Sequence, residues 1–358
     1  SFPTRRSSDL VPYMFRESIY AVPDQQPFLM MFYRRDVLHE LELKVPNTWD
    51  DVLDIIPVLQ KRNMQFGLPF SVPAKSVSGA IGDVSQTLGS VSSSGGVLNF
   101  LTFLYQRGEE LFIEDGVATN LDHEIAIEAF TRWTELHELY KLPLDYDPAN
   151  RFRMGEMPLV ITDYTFYNRL QVFAPELRGK WDFTLLPGTP RTDGSIDRSA
   201  PVSVQAGPMS GQSGSIILSA SDQVDAAWEF LRWWTSAETQ IEFGRQIESL
   251  MGPAARYATA NVEALTGLPW SVDEHNKLMA QWQWVKGVPE VPGGYMIGRY
   301  LDNAFRQVVY NTEPARDTLL DYDRMINEEL ARKRKEFGLP TSVDELEKEW
   351  RKLYWVAD

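Results

Sequence analysis

The sequence predicts an α/β protein with two lobes. Its 358 residues exceed the usual length of a single domain, so about two lobes are expected. Short apolar runs, such as residues 28–33, alternate along the chain with segments that have the 3.6-residue period of amphipathic helices. This alternation favours an α/β architecture with mostly parallel sheets.

The first elements are two strands and a capped helix. Residues 18–22 form an apolar strand that ends at Pro23, and the polar link 24–26 leads into the second strand at 28–33. A short polar link between buried strands is compatible with a crossing between lobes. The next helix begins after Thr48, which can cap it together with Asp51 three residues later.

Predicted helices and strands continue to alternate in the middle of the chain. Asp122 is expected to cap a helix that extends to residue 140, and residues 157–162 form a buried strand followed by an aromatic patch at 164–167. Further strands are expected at 181–186 and 215–218. Ser221 then precedes a helix with Ala227, Phe230, Leu231 and Trp234 on one side.

Charge and composition exclude several classes of function. The formal net charge is −15, which argues against nucleic-acid binding because phosphate recognition requires a positive field. Cysteine is absent and the four histidines are scattered, so we expect no metal site and no cofactor. No apolar run reaches the roughly 18 residues that span a bilayer.

The first ten residues, SFPTRRSSDL, differ from the rest of the chain. They have no hydrophobic period, and they resemble one reading frame of a sequencing adapter translated into protein. We expect residues 1–10 to be a non-native leader. The natural protein would then extend upstream of Val11, where a signal or lipid-anchoring segment would lie.

Aromatic residues suggest the kind of ligand. The chain has 11 Trp and 14 Tyr, and rings with a polar group suit pockets for pyranose sugars. Four tryptophans on helical stripes are expected to pack in the core: Trp49, Trp133, Trp228 and Trp234. Four other aromatic residues flank predicted loops and are ligand candidates: Tyr164, Tyr167, Trp284 and Tyr295.

The sequence leaves open the alternative that the protein is an enzyme. No G-x-S-x-G elbow, P-loop or G-x-G-x-x-G motif occurs in the sequence. A glycoside hydrolase would need two carboxylates across a cleft. The candidates for that pair are Glu109, Glu110, Asp145, Asp147 and Asp163. Each is expected more often to be a surface charge or a helix cap.

An ordered set of motifs resembles one known family. The early motifs are Tyr20-Ala21-Val22-Pro23, Phe32-Tyr33-Arg34-Arg35-Asp36 and Val45-Pro46-Asn47-Thr48-Trp49-Asp50-Asp51, and the later ones are residues 153–161, 226–231 and 235–240. The set resembles the extracellular solute-binding proteins of bacterial ABC sugar importers, of the maltodextrin-binding class (family 1). Residues 256–261, 292–295 and 328–335 resemble a branch on Gram-positive-type surfaces that is associated with uptake of complex oligosaccharides.

The resemblance implies a periplasmic-binding-protein type II fold, in which a sugar is enclosed between two lobes. Crossings between the lobes would lie near residues 24–27, 204–210 and 288–293. The C-terminal lobe would hold residues 27–207 and 291–358. The N-terminal lobe would hold only 11–26 and 208–290, so that this lobe would be incomplete and its apolar faces would be exposed.

The resemblance also implies a function and a set of ligand residues. It implies no catalytic residue; the ligand positions are Gln25, Gln26, Tyr164, Tyr167 and Tyr295, with Asn99 proposed from the loop before the helix at 100–105. The protein would capture an oligosaccharide and deliver it to an ABC permease by hinge closure, as a monomer anchored at the cell surface. The alternatives are a polysaccharide-processing enzyme and a sugar-sensing binding module.

Overall fold

The computed structural model describes residues 7–16, 18–68, 95–204 and 212–354. The helices are α1 Ser7–Leu10, α2 Arg35–Glu40, α3 Trp49–Gln60, α4 Gly95–Gln106, α5 Glu124–Glu138, α6 Pro148–Met154, α7 Phe166–Phe173, α8 Val224–Trp234, α9 Ala237–Met251, α10 Val262–Gly267, α11 Val272–Trp282, α12 Ile297–Asn311, α13 Ala315–Glu336 and α14 Val343–Tyr354. Within the described ranges, none of them combines the length and apolar character needed to cross a bilayer.

The strands are short and form several small sheets. They are β1 Met14–Phe15, β2 Ser18–Ile19, β3 Val22–Gln25, β4 Leu29–Arg34, β5 Phe66–Gly67, β6 Leu159–Asp163, β7 Trp181–Thr184, β8 Thr189–Pro190, β9 Ile196–Asp197, β10 Ala200–Val202, β11 Ser213–Ser215 and β12 Val285–Gly287. A four-stranded sheet has the order β5-β6-β4-β7, and two-stranded sheets pair β1 with β2, β3 with β11, β8 with β9 and β10 with β12.

The four-stranded sheet is mixed rather than mostly parallel. β4 runs antiparallel to both β6 and β7, while β5 runs parallel to β6. The expectation of mostly parallel sheets is therefore wrong for this sheet. The reason is that β4 lies between β6 and β7, which run in the same direction, and β4 is antiparallel to both.

The two faces of β4 enter two different hydrophobic cores. Leu29 and Met31 pack into a large core with α3, α4, α5, α12 and α13. Met30 and Phe32 point to the opposite face, as alternation along a strand requires, and pack with residues of α7, α10 and α11. The second core is the one that positions the candidate site.

Local sequence signals explain how some helices begin. Thr48 Oγ1 accepts from the Asp51 backbone N–H, and Asp51 Oδ2 accepts in return from the Thr48 backbone N–H, which completes the expected capping box of α3. Asp122 does not cap α5. His123 holds the N-cap position with extended backbone angles, and α5 begins at Glu124.

The segments around the predicted crossings lie beside one another. β10, before the second crossing, pairs with β12, which lies next to the third crossing. β11, after the second crossing, pairs with β3, which lies next to the first crossing. Residues 205–210 of the second crossing lie outside the described residues. The division of the chain into two lobes at these positions stays a prediction.

Part of the predicted leader is buried in the fold. Asp9 in α1 is fully buried, and its Oδ1 accepts hydrogen bonds from Gln26 Nε2 at 3.0 Å and from Trp282 Nε1 at 3.4 Å. α1 packs against β3 and β12. The non-native origin of residues 1–10 stays a prediction, and residues 1–6 lie outside the described part of the chain.

Helix α8 exposes most of its apolar residues. Val224, Trp228, Phe230 and Trp233 are 52%, 38%, 57% and 57% exposed, and the first two lie on the opposite side of the helix from the last two. We call these four residues together the α8 apolar face. Leu231 is the buried residue of this helix. The expectation that Trp228 packs in the core is therefore wrong, since the helix packs mainly against α9 and presents this face outward.

Polar substitutions on the α8 apolar face are expected to improve solution behaviour without loss of stability. Replacing Phe230 and Trp233 with serine removes exposed apolar area, so binding of the dye ANS and self-association should both fall. The free energy of unfolding should stay within about 0.5 kcal/mol per substitution. The measurements are ANS fluorescence, light scattering and urea denaturation. Leu250→Ser is the control, because Leu250 is 84% exposed on α9 and lies outside this face.

Candidate binding site

Aromatic side chains from distant parts of the sequence meet on one side of the four-stranded sheet. We define the aromatic cluster as Phe28, Tyr164, Tyr167, Trp181, Trp270 and Trp282. Ring centroids lie 4.8 Å apart for Phe28 and Tyr164, 5.4 Å for Phe28 and Trp282, and 5.0 Å for Tyr167 and Trp270. Tilted and edge contacts at these distances are favourable arrangements of aromatic quadrupoles.

The turn between β6 and α7 places the two tyrosines. Asp163 Oδ1 accepts from the Thr165 backbone N–H at 2.9 Å, which ends the strand with a local side-chain turn. The Tyr164 backbone N–H donates to the Phe28 carbonyl at 3.0 Å, so the end of β6 is fixed to the start of β4. Tyr164 is consequently buried, and Tyr167, one helical turn later, is half-buried.

A guanidinium group lies against the rings. Arg256 Cζ is 4.4 Å from the centre of the Trp270 ring and 5.4 Å from that of Tyr167. Arg256 Nε and Nη2 donate to the two carboxylate oxygens of Glu248 at 2.9 and 2.7 Å. This bidentate pair fixes the plane of the guanidinium beside the two rings.

The hydroxyl groups of the two tyrosines are neutral donors. Burial and the Glu274 carboxylate, which accepts from the Tyr167 hydroxyl at 2.6 Å, together raise the pKa of Tyr167 to about 12. Burial also raises the pKa of Tyr164 far above its usual range. Both groups therefore keep their protons at any physiological pH.

The structure brings Tyr164 and Tyr167 together, with the two glutamines nearby. Gln26 is fully buried and is tied to Asp9, which also binds Trp282 of the aromatic cluster. Gln25 is partly exposed at the end of β3, where it pairs with Ser213 and forms a bridge with Thr259. Their roles as ligand contacts stay predictions.

Three other predicted ligand residues lie elsewhere. Asn99 lies inside α4 and is 3% exposed, so its expected position in a loop before the helix is wrong. Trp284 is half-buried, with Arg191 Cζ 5.9 Å from its ring centre. Tyr295 is 56% exposed and donates to Glu329 Oε1 of α13 at 2.9 Å.

Sequence reasoning missed five residues of the site: Phe28, Trp181, Trp270, Trp282 and Arg256. Trp282 and Trp284 stand two positions apart, and only the contacts made at the end of α11 show that Trp282 faces the cluster. Trp270 follows Pro269 in the link between α10 and α11. An aromatic residue beside a turn proline was the available signal for it.

Four of the five carboxylates considered for catalysis have structural contacts. Asp147 caps α6, Glu110 forms an ion pair with Lys286 at 3.3 Å, and Glu109 pairs with His123 at 2.9 Å. Asp163 forms the turn after β6, and burial raises its pKa to about 6. Within the described ranges, His, Asp and Glu side chains form no group of three or more that could hold a metal ion.

The site is built from both sides of the predicted crossings. Phe28, Tyr164, Tyr167 and Trp181 come from the predicted C-terminal lobe, whereas Arg256, Trp270 and Trp282 come from the predicted remnant of the N-terminal lobe. Residues of the two parts touch directly, as the ring contact between Tyr167 and Trp270 demonstrates.

Solved structures with the same fold bind sugars. The sugar-binding protein MalE from Xanthomonas citri is 15% identical, with a TM-score of 0.71 over 94% of this chain and 77% of its own. An ABC transporter solute-binding protein from Thermotoga lettingae, bound with α-D-tagatose, is 14% identical, with a TM-score of 0.67 over 91% and 76%. The cyclic α-maltosyl-1,6-maltose binding protein from Arthrobacter globiformis is 16% identical, with a TM-score of 0.66 over 92% and 76%.

These similarities confirm the predicted two-lobed periplasmic-binding-protein fold. No match was found among curated protein sequences. Residues 1–241, which are more than half of the chain, match the family profile described as bacterial extracellular solute-binding protein. The order of motifs, the fold and this match agree, and the chain therefore belongs to the bacterial extracellular solute-binding protein family.

Proposed function

We propose that the protein captures an oligosaccharide outside the cell and delivers it to the permease of an ABC importer by hinge closure. The main support is the aromatic cluster, in which Tyr164 and Tyr167 meet Arg256 and Trp270 from the other side of the predicted crossings. Flat apolar rings next to hydrogen-bonding groups complement the faces and hydroxyls of sugars. In the open form one lobe would bind the sugar, and closure would add the contacts of the other.

We also propose the division of the chain into lobes at the predicted crossings. The α8 apolar face then belongs to the lobe that holds residues 11–26 and 208–290, and further elements of that lobe would cover it. The solved relatives support this proposal, because the match covers only 76–77% of the chains from Thermotoga lettingae and Xanthomonas citri. The protein would act as a monomer at the cell surface.

Calorimetric titration with starch-type and plant-cell-wall oligosaccharides tests the capture function. Tyr167→Ala removes one ring of the cluster and is expected to weaken binding about tenfold or more, which corresponds to about 1.4 kcal/mol. Tyr310→Ala is the control, since Tyr310 is 58% exposed on α12 and should leave the affinity unchanged.

Product analysis of the same mixtures separates the alternatives. Binding without cleavage of the sugar supports capture, whereas cleavage that disappears on removal of one carboxylate would establish a glycoside hydrolase. A signalling partner in place of a permease would favour the sensing module. If Tyr167→Ala and Tyr310→Ala bound equally well, the aromatic cluster would not be the binding site.

A further inference from the structure

Four buried polar atoms without hydrogen-bond partners lie in or directly beside the aromatic cluster. Among the described residues, no partner exists for the Tyr164 hydroxyl, Asn168 Oδ1, Arg256 Nη1 or Trp270 Nε1. Leaving one such group unsatisfied costs about 1–3 kcal/mol, and native proteins rarely do so without a reason. Four of them together indicate a place where a polar molecule binds.

The four residues are in contact with one another. The Trp270 ring centre lies 4.4 Å from Arg256 Cζ and 6.1 Å from the Tyr164 ring centre, and Asn168 Nδ2 donates to the Arg256 carbonyl at 3.2 Å. Tyr164 and Asn168 are 1% and 4% exposed, and the Arg256 side chain is 9% exposed. The unpartnered atoms therefore belong to one buried group of side chains.

The hydrogen-bonding capacities of these atoms restrict the ligand. Arg256 Nη1 and Trp270 Nε1 can only donate, Asn168 Oδ1 can only accept, and the Tyr164 hydroxyl can do both. A carboxylate would satisfy the two donors but not Asn168 Oδ1, and an ammonium group would satisfy only the acceptors. Adjacent hydroxyl groups, which both donate and accept, can satisfy all four atoms.

The charges around these four residues also favour a neutral ligand with hydroxyl groups. Arg256 is already neutralised by the bidentate contact with Glu248, whose side chain is 14% exposed. Glu274 adds a second carboxylate through its contact with the Tyr167 hydroxyl. A ligand carboxylate would thus enter a partly buried region with one cation and two carboxylates, where an uncompensated anion is costly.

We propose that Tyr164, Asn168, Arg256 and Trp270 form a subsite for adjacent hydroxyl groups of a neutral sugar. Glu248 sets this preference, because it removes the positive charge that would otherwise attract an acidic sugar. The inference rests on the proposed function, since it names the class of sugar that the aromatic cluster accepts. The opening of the two parts of the site would admit the sugar.

Matched sugar pairs test the preference by calorimetry. The probes are maltotriose, cellotriose and galactotriose, each with its counterpart oxidised at C6 to the uronic acid. The wild-type protein is expected to bind the neutral member of a pair about tenfold tighter or better, and Glu248→Gln should reduce that ratio about tenfold. Glu229→Gln is the control, because Glu229 forms its ion pair with Arg232 on the exposed surface of α8.

A second variant gives an independent reading that does not depend on the folding of Glu248→Gln. Trp270→Phe keeps a ring but removes the indole donor, and we expect about fivefold weaker binding of the neutral sugar. Sugar binding with an unchanged ratio in Glu248→Gln, or equal binding of both pair members by the wild type, would overturn the subsite alone. Failure of all six sugars to bind would overturn the proposed function together with it.

Discussion

Replacement of Arg334 with methionine is expected to lower the free energy of unfolding by about 3–5 kcal/mol. Arg334 lies in α13 and is fully buried. Its Nη1 donates to the Asp115 carbonyl at 2.6 Å, its Nη2 to Asp115 Oδ2 at 3.1 Å, and its Nε to the Pro340 carbonyl. Methionine fills similar space but leaves two carbonyls without their donor and the Asp115 carboxylate with Arg16 as its remaining ion-pair partner. The desolvation cost of these oxygens produces the loss.

The same ion pair joins distant parts of the chain. Arg16 pairs with Asp115 at 3.1 Å and with Glu349 of α14 at 2.6 Å, so Arg16 links α14 to Asp115, which in turn contacts α13 through Arg334. Unfolding in urea, followed by circular dichroism, measures the effect of Arg334→Met. A loss of about 1 kcal/mol or less would mean that water replaces the missing donors.

A matched control stands two residues earlier on the same helix. Arg332 forms ion pairs with Glu329 and Glu336 on the surface, where its side chain is 55% exposed. Arg332→Met should therefore have a much smaller effect on stability than Arg334→Met, since exposed ion pairs contribute little. The contrast between the two arginines separates the effect of burial from the effect of charge.

The stability of the protein is expected to fall in acid, with about 3 kcal/mol of the loss due to His137. Burial lowers the pKa of His137 to about 4. Because this value lies below that of an unfolded histidine, about 6.5, the unfolded state binds more protons between these two values. The contribution of His137 is complete above about pH 6.5 and is lost as the pH falls towards about 4.

The variant His137→Gln isolates this contribution. His137 Nδ1 lies 3.1 Å from the Leu142 carbonyl, and a glutamine amide can donate to the same oxygen without titrating. Urea denaturation at about pH 7.5 and about pH 4 should give a smaller pH-dependent loss in the variant by about 3 kcal/mol. Equal losses in the two proteins would show that folding does not lower the pKa of His137.

The contribution of Asp163 to stability has the opposite pH dependence, so the effect of His137 must be measured as a difference between wild type and variant. Burial raises the pKa of Asp163 to about 6, so the folded state binds its proton more readily than the unfolded state does. Its contribution to stability therefore grows as the pH falls through about 6, against that of His137. The difference between wild type and variant cancels Asp163 and the other carboxylates.

Some elements could be predicted because their causes are local. The Thr48 and Asp51 side chains bond to backbone groups three residues away, so the start of α3 follows from the sequence. The apolar run at 28–33 corresponds to β4, Leu29–Arg34. The order of short motifs along the chain was sufficient to indicate the family, which the match over residues 1–241 confirms.

Contacts between distant residues could not be predicted in the same way. A period of 3.6 residues places Trp228 on a stripe with Leu231, but only the neighbouring elements decide that Trp228 stays 38% exposed while Leu231 is buried. Asn99 was expected in a loop because glycine and serine precede it, yet α4 already begins at Gly95. Packing overrides local propensity in both cases.

The sequence by itself determined the family, the two-lobed fold and two residues of the aromatic cluster, Tyr164 and Tyr167. These features follow from the order of motifs and from local patterns of a few residues, which are visible in the sequence itself. The tertiary structure decided that Trp270, Trp282 and Arg256 complete the site, because Tyr167 and Trp270 are far apart in sequence and meet only when the second core forms. Whether a buried polar atom beside the aromatic cluster has a hydrogen-bond partner depends on the same packing between residues that are distant in sequence.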